Sequence, residues 1–301
     1  MRILVTGSSG HVGGAIAGRL AEQKYEVVGM SRRINKRLPE SIRQVSLDLG
    51  TPNLAARLQE AVGSCDAIVH AGACLLDDDH ADEVMEINVE GTRKMLEGAH
   101  ALGAASFIFI SSLSLLGRPQ RAVMTEEDPL APGTAYARSK ALGEGLVFDP
   151  AAAVSLTGHR VALRISSPIG PGLQYKRIFR IFVERALQNE AITIHGEGAR
   201  QQDYVDVRDV ADGIIRLLDR PCTGIFNLGS GVPVSNLELA QRCISALAST
   251  SPLLRSGAPD EDDGLRWRLS IDKAAKHFGY APAYSLEDSI HALAEELRAA
   301  L

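Results

Sequence analysis

Tyr136 and Lys140 stand four residues apart behind Pro132-Gly133-Thr134. That tripeptide reads as a helix start with Thr134 as its cap, so the two side chains share one helical face. A free tyrosine titrates near about 10, too high for a base at neutral pH. A neighbouring ammonium stabilises the phenolate, and the expectation is that Lys140 draws the pKa of Tyr136 down towards working pH. A hydroxyl for the same site lies just beyond the apolar run Phe107 to Ile110, where Ser111, Ser112 and Ser114 follow in quick succession. Parallel sheets gather their active sites at such strand ends. A serine, a tyrosine and a lysine together can hold a substrate oxygen and move its proton.

A second constellation stands at the N-terminus. Thr6-Gly7-Ser8-Ser9-Gly10-His11-Val12-Gly13 follows the apolar run Ile3-Leu4-Val5 and opens a helix. Glycines at this spacing suit a tight turn and close backbone approach to a pyrophosphate, while the helix start supplies free N–H groups and a positive dipole end. In an arbitrary loop the same glycines would be ordinary turn chemistry; between a strand and a helix they mark a dinucleotide site. Gly7, Ser9, Gly10, His11, Val12 and Gly13 are the candidate contacts. The His11 ring is expected to point away from chemistry, because such turns recognise through their backbone. The second strand ends in Met30-Ser31-Arg32-Arg33, without the acid that would take both ribose hydroxyls of NAD and repel a 2′-phosphate. Ser31, Arg32 and Arg33 can bond such a phosphate, so of NAD and NADP the latter is favoured.

The elements that must position these residues follow a simple rhythm. Ile3-Leu4-Val5, Glu26 to Met30, Ala67 to His70, Ser106 to Ile110 and Val161 to Ile165 are short apolar or β-branched runs separated by helical patterns. Strands buried on both faces read this way, and the alternation predicts an α/β, Rossmann-type doubly wound parallel sheet. After Pro168-Ile169-Gly170-Pro171-Gly172 the rhythm becomes irregular, and Asp206 to Phe226 returns to the sheet through one helix and one strand. The expected organisation is a dinucleotide-binding domain of residues 1–165 plus 205–229 and a smaller C-terminal α/β substrate lobe of 166–204 plus 230–301. Ser285 to Leu301 should close that lobe as a serine-capped helix.

Composition narrows the function classes. The chain has 301 residues, is 45% hydrophobic and 23% charged, and carries a formal net charge of -5. No apolar run reaches the roughly 20 residues of a membrane span, and no basic surface suits nucleic acid. Cys65, Cys74, Cys222 and Cys243 lack metal-ligand spacing, and Met1 to Val5 opens directly on a strand, so a reducing cytoplasm without a signal peptide or a metal is expected.

Six segments now stand in order: Asp48-Leu49, His70-Ala71-Gly72-Ala73, Asn88-Val89-Glu90-Gly91-Thr92, Ser111-Ser112, Tyr136-Ala137-Arg138-Ser139-Lys140 and Asp203-Tyr204-Val205-Asp206-Val207. With the G-x-x-G-x-x-G turn they resemble the extended short-chain dehydrogenase/reductases, the NAD-dependent epimerase/dehydratase group, over nearly the whole chain. The resemblance implies that Asp48 and Leu49 contact the adenine, that Ala71, Gly72 and Ala73 line the dinucleotide path, and that Pro168 and Ile169 lie beside the nicotinamide. It places Asn88 near the active site, although a helix cap would explain that residue as well. In the family the serine is followed by a glycine five residues on, and Gly117 in that place makes Ser112, rather than Ser111 or Ser114, the residue that the resemblance implies. The implied mechanism has Ser112 and Tyr136 bond one substrate oxygen during hydride transfer, with Lys140 on the cofactor ribose. A homodimer through the helix of Tyr136 is also implied, with Ala137, Ala141, Leu142 and Leu146 as its apolar face.

The resemblance has gaps. Nucleotide-sugar members usually carry asparagine where Ser167 stands and arginine where Gln202 stands. Arg200 and Arg255 can reach a phosphate from nearby, or serve as solvated charge. Trp267, between Arg266 and Arg268, receives no role. Three functions stay open: an epimerase or dehydratase that retains its cofactor and acts on a sugar, sugar nucleotide or related small molecule; an NADPH-dependent ketone reductase or alcohol dehydrogenase with exchangeable cofactor; and a non-catalytic NAD(P)-binding sensor.

Overall fold

The computed structural model describes residues 1–151 and 158–299. Its first half runs β1 (Arg2–Thr6), α1 (His11–Glu22), β2 (Glu26–Ser31), β3 (Arg43–Ser46), α2 (Leu54–Val62), β4 (Ala67–His70), α3 (Ala81–Met85), α4 (Gly91–Ala101), β5 (Ser106–Ser112), β6 (Val123–Met124), α5 (Ala135–Phe148) and β7 (Arg160–Ile165). The remainder comprises β8 (Ser167–Ile169), α6 (Ile178–Leu187), β9 (Ile192–Ile194), β10 (Gln201–Asp206), α7 (Val207–Asp219), β11 (Gly224–Leu228), β12 (Pro233–Ser235), α8 (Asn236–Ala246), β13 (Leu253–Arg255), β14 (Arg268–Leu269), α9 (Asp272–Phe278) and α10 (Leu286–Ala299). A π-helical turn, Glu86–Glu90, joins α3 to α4.

Seven strands form one sheet in the order β11-β7-β5-β4-β1-β2-β3, every neighbouring pair parallel. Parallel pairing needs helical crossovers on both faces, which is why β1, β2 and β4 read as unbroken apolar runs. One face packs Ile3, Val5, Val69 and Ile108 against α1 and α7 residues such as Ile16 and Ile214. The other packs Leu4, Ile68, Phe107 and Phe109 against Leu58, Met95 and Leu96 of α2 and α4. The strand order reverses between β1 and β4, and the crevice outside the carboxyl ends there is the topological site for a ligand.

β8, β10 and β12 make a second sheet, while β9 pairs with β13 and β6 with β14. Phe179, Phe182, Leu239, Ile290 and Leu293 bring α6, α8 and α10 into one core beside it. The chain does return through α7 to β11, which lies beside β7; β10 itself runs across residues 204 and 205, where the sequence suggests a boundary. Ser285 caps α10, its Oγ accepting from the Asp288 N–H at 3.1 Å while the Asp288 carboxylate accepts from the Ser285 N–H at 2.8 Å. Residues 300 and 301, included in the expected helix, lie outside the described residues. Among the described residues no helix is long and apolar enough to cross a membrane.

Candidate active site

A cleft of about 1700 Å³ runs along the carboxyl ends of the strands from the tip of β2 to the second sheet. Its floor is the glycine turn. Gly7 has φ +67°, and a Cβ there would sit 2.7 Å from Gly72 Cα; a Cβ on Gly13 would sit 2.3 Å from the Gly7 carbonyl oxygen. The first requires glycine for its backbone conformation and the second lets α1 press against the turn. No side chain caps α1 at Gly10, so its first N–H groups stay free to meet an anion. Gly7, Ser9, Gly10, His11, Val12 and Gly13 all line the cleft. The His11 ring is buried with neither nitrogen bonded, and burial lowers its pKa to about 4, so it is neutral at pH 7.

A buried relay that the sequence does not announce holds the next wall. The Gly72 N–H donates to Thr6 Oγ1 at 2.9 Å, and Thr6 Oγ1 lies 2.7 Å from His70 Nδ1. His70 Nε2 lies 3.2 Å from Thr92 Oγ1, whose hydroxyl donates to the Asn88 carbonyl at 2.6 Å. Burial and the Lys140 charge lower the His70 pKa to about 3. A neutral ring protonated on Nε2 satisfies every partner in this chain. Ala71, Gly72 and Ala73 are thereby presented to the cleft beside Asp48 and Leu49.

At the ribose end Ser31 and Arg32 line the cleft and Arg33 does not. The strand ends at Ser31, and Arg32 and Arg33 are both exposed beyond it. Ser31 Oγ donates to the Arg33 carbonyl at 2.7 Å, and Arg32 Nε lies 3.7 Å from Asp48 Oδ2.

Ser112, Tyr136 and Lys140 converge on the middle of the cleft. Thr134 caps α5 as expected, accepting from the Ala137 N–H at 3.1 Å. Alternation along β5 separates the serines. Ser111 is buried and donates to Glu144 Oε1 at 2.6 Å; Ser112 opens onto the cleft with its Oγ 2.8 Å from Ser114 Oγ. Gly117, at φ +67°, closes the turn after them, where a Cβ would strike the Ala131 carbonyl oxygen at 2.3 Å. The pKa expectation for Tyr136 is corrected here. Burial pushes the phenol above its ordinary value, opposed by a hydrogen bond with Ser112. Lys140 does not pair with the phenol oxygen: its Nζ donates to the Ile110 carbonyl at 2.7 Å and lies 5.8 Å from the Tyr136 ring centroid. Burial lowers its pKa to about 7, against the raising influence of Glu144. Asn88 lies behind this site rather than in it. Its Oδ1 accepts from the Cys74 N–H at 2.6 Å, and its Nδ2 donates to the Cys74 carbonyl and to Ser139 Oγ at 3.0 and 2.9 Å.

Beyond these three residues, Ser167, Pro168, Ile169, Arg200 and Gln202 line the far end. Ser167 Oγ donates to Gln202 Oε1 at 3.1 Å across β8 and β10. Arg255 lies outside the cleft, donating to the Gly196 carbonyl at 2.7 Å and pairing with Glu197 at 3.0 Å. Its strand β13 is exposed along its length and carries the side chain away from the cleft. An arginine absent from the sequence reading takes a place instead: Arg118 lines the mouth and pairs with Asp262 at 2.8 Å, while Arg200 lies 3.6 Å from the same carboxylate.

The uncapped helix, the glycine contacts and the switch-point location fit an extended dinucleotide. The model of the NAD-dependent epimerase/dehydratase family matches residues 3–229. The chain belongs to that family. It is 28% identical over 323 residues to a UDP-glucose 4-epimerase of Mycolicibacterium smegmatis, covering 99% of both chains. It is 24% identical over 319 residues to a dTDP-glucose 4,6-dehydratase of Streptomyces niveus, covering 96% of this chain and 90% of the other. Its fold superposes on the UDP-glucose 4-epimerase of Thermotoga maritima, solved with UDP-glucose, with a TM-score of 0.88 at 22% identity, covering 100% of this chain and 99% of that one. As an epimerase/dehydratase family member the protein is a nicotinamide-dependent enzyme whose chemistry is hydride transfer at a carbinol or carbonyl carbon of a sugar, sugar nucleotide or related small molecule.

The departures from the family pattern acquire a shape at this point. Ser167 and Gln202, the two positions that depart from the expected asparagine and arginine, are joined by the Ser167 hydroxyl donating to Gln202. Tyr175, on the loop after β8, lines the cleft close enough to Tyr136 to raise its pKa further. Trp267 also lines the cleft, its Nε1 donating to the Gln201 carbonyl at 3.2 Å. Nothing in the local sequence marks Tyr175 or Arg118, because each reaches the cleft from an irregular loop.

Proposed function

We propose that this family member oxidises and re-reduces one carbon of a sugar nucleotide with a cofactor it retains, using Ser112, Tyr136 and Lys140. The observation that supports the reading is the single continuous cleft of about 1700 Å³. Pockets for one drug-sized ligand occupy roughly 300–1,000 Å³, so the space accommodates a dinucleotide together with a second large ligand. The glycine turn, Asp48, Leu49 and Ala71 to Ala73 would hold the adenosine and pyrophosphate, with Pro168 and Ile169 beside the nicotinamide. When bound, the nicotinamide accepts and returns the hydride. Ser112 orients the substrate oxygen, Tyr136 takes or supplies its proton, and Lys140 holds the ribose and keeps positive charge near the phenol.

One observation favours the exchanging reductase. Arg118 and Arg200 already face Asp262, and Ser167 with Gln202 presents a neutral polar pair, which suits a smaller uncharged substrate. On cofactor choice, the NADP preference rests on Ser31 and the exposed Arg32 and Arg33, of which Ser31 and Arg32 line the cleft. Both questions meet in one experiment: denature the purified protein, identify any released nucleotide by mass spectrometry, then titrate the stripped protein with NADH and NADPH. Near-stoichiometric NAD is the expected result. An empty protein that binds NADPH reversibly and in preference to NADH would replace this reading with the reductase.

The proposal includes a cytoplasmic homodimer paired through α5. Ala137 belongs to the home core, being 1% exposed, and the half-buried Ala141 and Leu146 pack against it as well, which leaves Leu142, 52% exposed, as the outward apolar residue. Sedimentation velocity should give twice the mass of the chain, and Leu142→Glu should return it to the monomer; a monomeric wild type rejects the dimer.

A further inference from the structure

We propose that Ser111, Glu144 and Arg164 form a buried positioning set that fixes the rotation and axial setting of α5 against β5, and so the aim of Tyr136 and Lys140 at the oxygen held by Ser112. The inference rests on the assignment of those three residues to the reaction.

Tyr136, Lys140 and Glu144 recur every fourth residue and therefore run down one face of α5. Two successive turns of that face are tied to successive residues of β5. Lys140 Nζ donates to the Ile110 carbonyl at 2.7 Å, and Glu144 Oε1 accepts from Ser111 Oγ at 2.6 Å. The next residue of the strand is Ser112. Arg164 stands opposite Ser111 in the β5–β7 register. It grips Glu144 with two bonds, Nε to Oε1 at 3.0 Å and Nη2 to Oε2 at 2.8 Å. Its remaining Nη1 donates to the Glu126 carbonyl at 3.1 Å, and Glu126 Oε1 accepts from the Asn227 N–H at 2.8 Å. One carboxylate thus joins the catalytic helix to two central strands.

Stability does not account for this arrangement. The side chains of Arg164 and Glu144 are 3% and 5% exposed, and a well-packed apolar pair in place of buried charges is often no less stable. What an apolar pair lacks is direction. The buried face of α5 consists of Ala135, Ala137, Ser139, Lys140, Gly143, Glu144 and Val147. Val147 alone among them is a large apolar side chain. At Gly143 the helix comes so close to Phe109 that a Cβ would meet the ring at 2.6 Å. Val147, Leu146 and Phe148 anchor the last turn, whereas the small residues from Ala135 to Gly143 permit close approach but offer few knobs to resist rotation or sliding. The directional bonds at Lys140 and Glu144 supply that resistance. A shift of about 1 Å at reacting groups costs on the order of a hundredfold in rate, so positioning of this kind is read in turnover before it is read in melting.

The test compares wild type, Ser111→Ala, Ser111→Thr, the double variant Glu144→Leu with Arg164→Met, and Tyr136→Phe. Each is loaded with NAD and assayed on UDP-glucose, and hydrogen exchange of the α5 amides is followed in the cofactor-free protein. The double variant removes both charges at once, so neither is left buried alone. It should melt within a few degrees of wild type, lose ten- to a hundredfold in kcat with KM within about twofold, and exchange faster across α5 and not across α2 or α4. Ser111→Ala should lose kcat by a smaller factor, and Ser111→Thr should recover it. A folded double variant with wild-type kcat and wild-type α5 exchange overturns the proposal, as does a rise in KM at constant kcat. The exchange measurement needs no substrate: a wild type inert towards sugar nucleotides rejects the functional reading, and α5 protection still decides the positioning set. Activity surviving in Tyr136→Phe rejects the catalytic assignment instead.

Discussion

Tyr136→Phe is expected to lower kcat by about 10³–10⁴-fold while cofactor affinity and melting temperature stay close to wild type. The substitution removes one oxygen and keeps the ring in the cleft. General acid–base catalysis contributes roughly 10²–10⁴, and the hydroxyl also donates to the developing oxyanion, which places the loss at the upper end of that range. Burial, the nearby Tyr175 and the Ser112 hydrogen bond together leave the phenol above its ordinary pKa, with burial dominant. The resting hydroxyl is therefore protonated at neutral pH and poised as a donor to a substrate carbonyl oxygen. In the proposed oxidative direction it must lose a proton first, and positive charge from Lys140 opposes the burial penalty. Pre-steady-state reduction of the bound cofactor, read by its absorbance with a sugar nucleotide in excess, separates this step from release. Turnover within tenfold of wild type would remove Tyr136 from the mechanism and leave Ser112 with Lys140 as the candidates.

Much of this arrangement was legible in the chain itself, for a physical reason. Parallel strands buried on both faces cannot alternate polar and apolar residues, so β1, β2, β4, β5 and β7 are visible as short apolar runs. Gly7 and Gly13 are visible because their positions admit no Cβ. Tyr136 and Lys140 are visible because both lie on one helix, whose geometry converts a spacing of four into adjacency. The failures share the opposite property, since each depended on contacts between segments distant in sequence. Arg255 looked available until the Gly196–Glu197 turn claimed it. Glu144 and Arg164 carried no local signal, one being an acid on a helix and the other a single charge in an apolar strand. The sign of the Tyr136 shift was missed because proximity to an ammonium can be read from spacing, whereas the depth of burial cannot.

Lys140→Met should produce an enzyme that is about 10³-fold slower and more stable. On the proposed roles the activity loss combines a lost ribose contact with a lost charge beside the phenol, so it should appear in cofactor affinity as well as in kcat, unlike that of Tyr136→Phe. The stability gain follows from burial. Lys140 is 3% exposed, and its pKa falls from the ordinary 10.5 to about 7 in the folded protein. In the unfolded chain the amine keeps its ordinary value. As pH falls from about 10.5 towards 7 the unfolded chain takes up this proton before the folded one does, and native stability declines. Below about 7 both states are protonated and the penalty is constant. Methionine has no proton to take up, fills a similar volume and leaves the Glu144–Arg164 pair intact. The cofactor-free variant should therefore melt above wild type at pH 7, by about 2–4 °C for each kcal/mol recovered. That gap should close as the pH is raised towards 10. The lost hydrogen bond to the Ile110 carbonyl works against the gain, and an ammonium held out of water costs more than one such bond returns. Calorimetry of the two stripped proteins across this pH range checks the sign. A variant that melts below wild type at pH 7, with a gap independent of pH, would mean that Lys140 is well solvated in its charged form, and the stability cost of the buried ammonium would have to be abandoned.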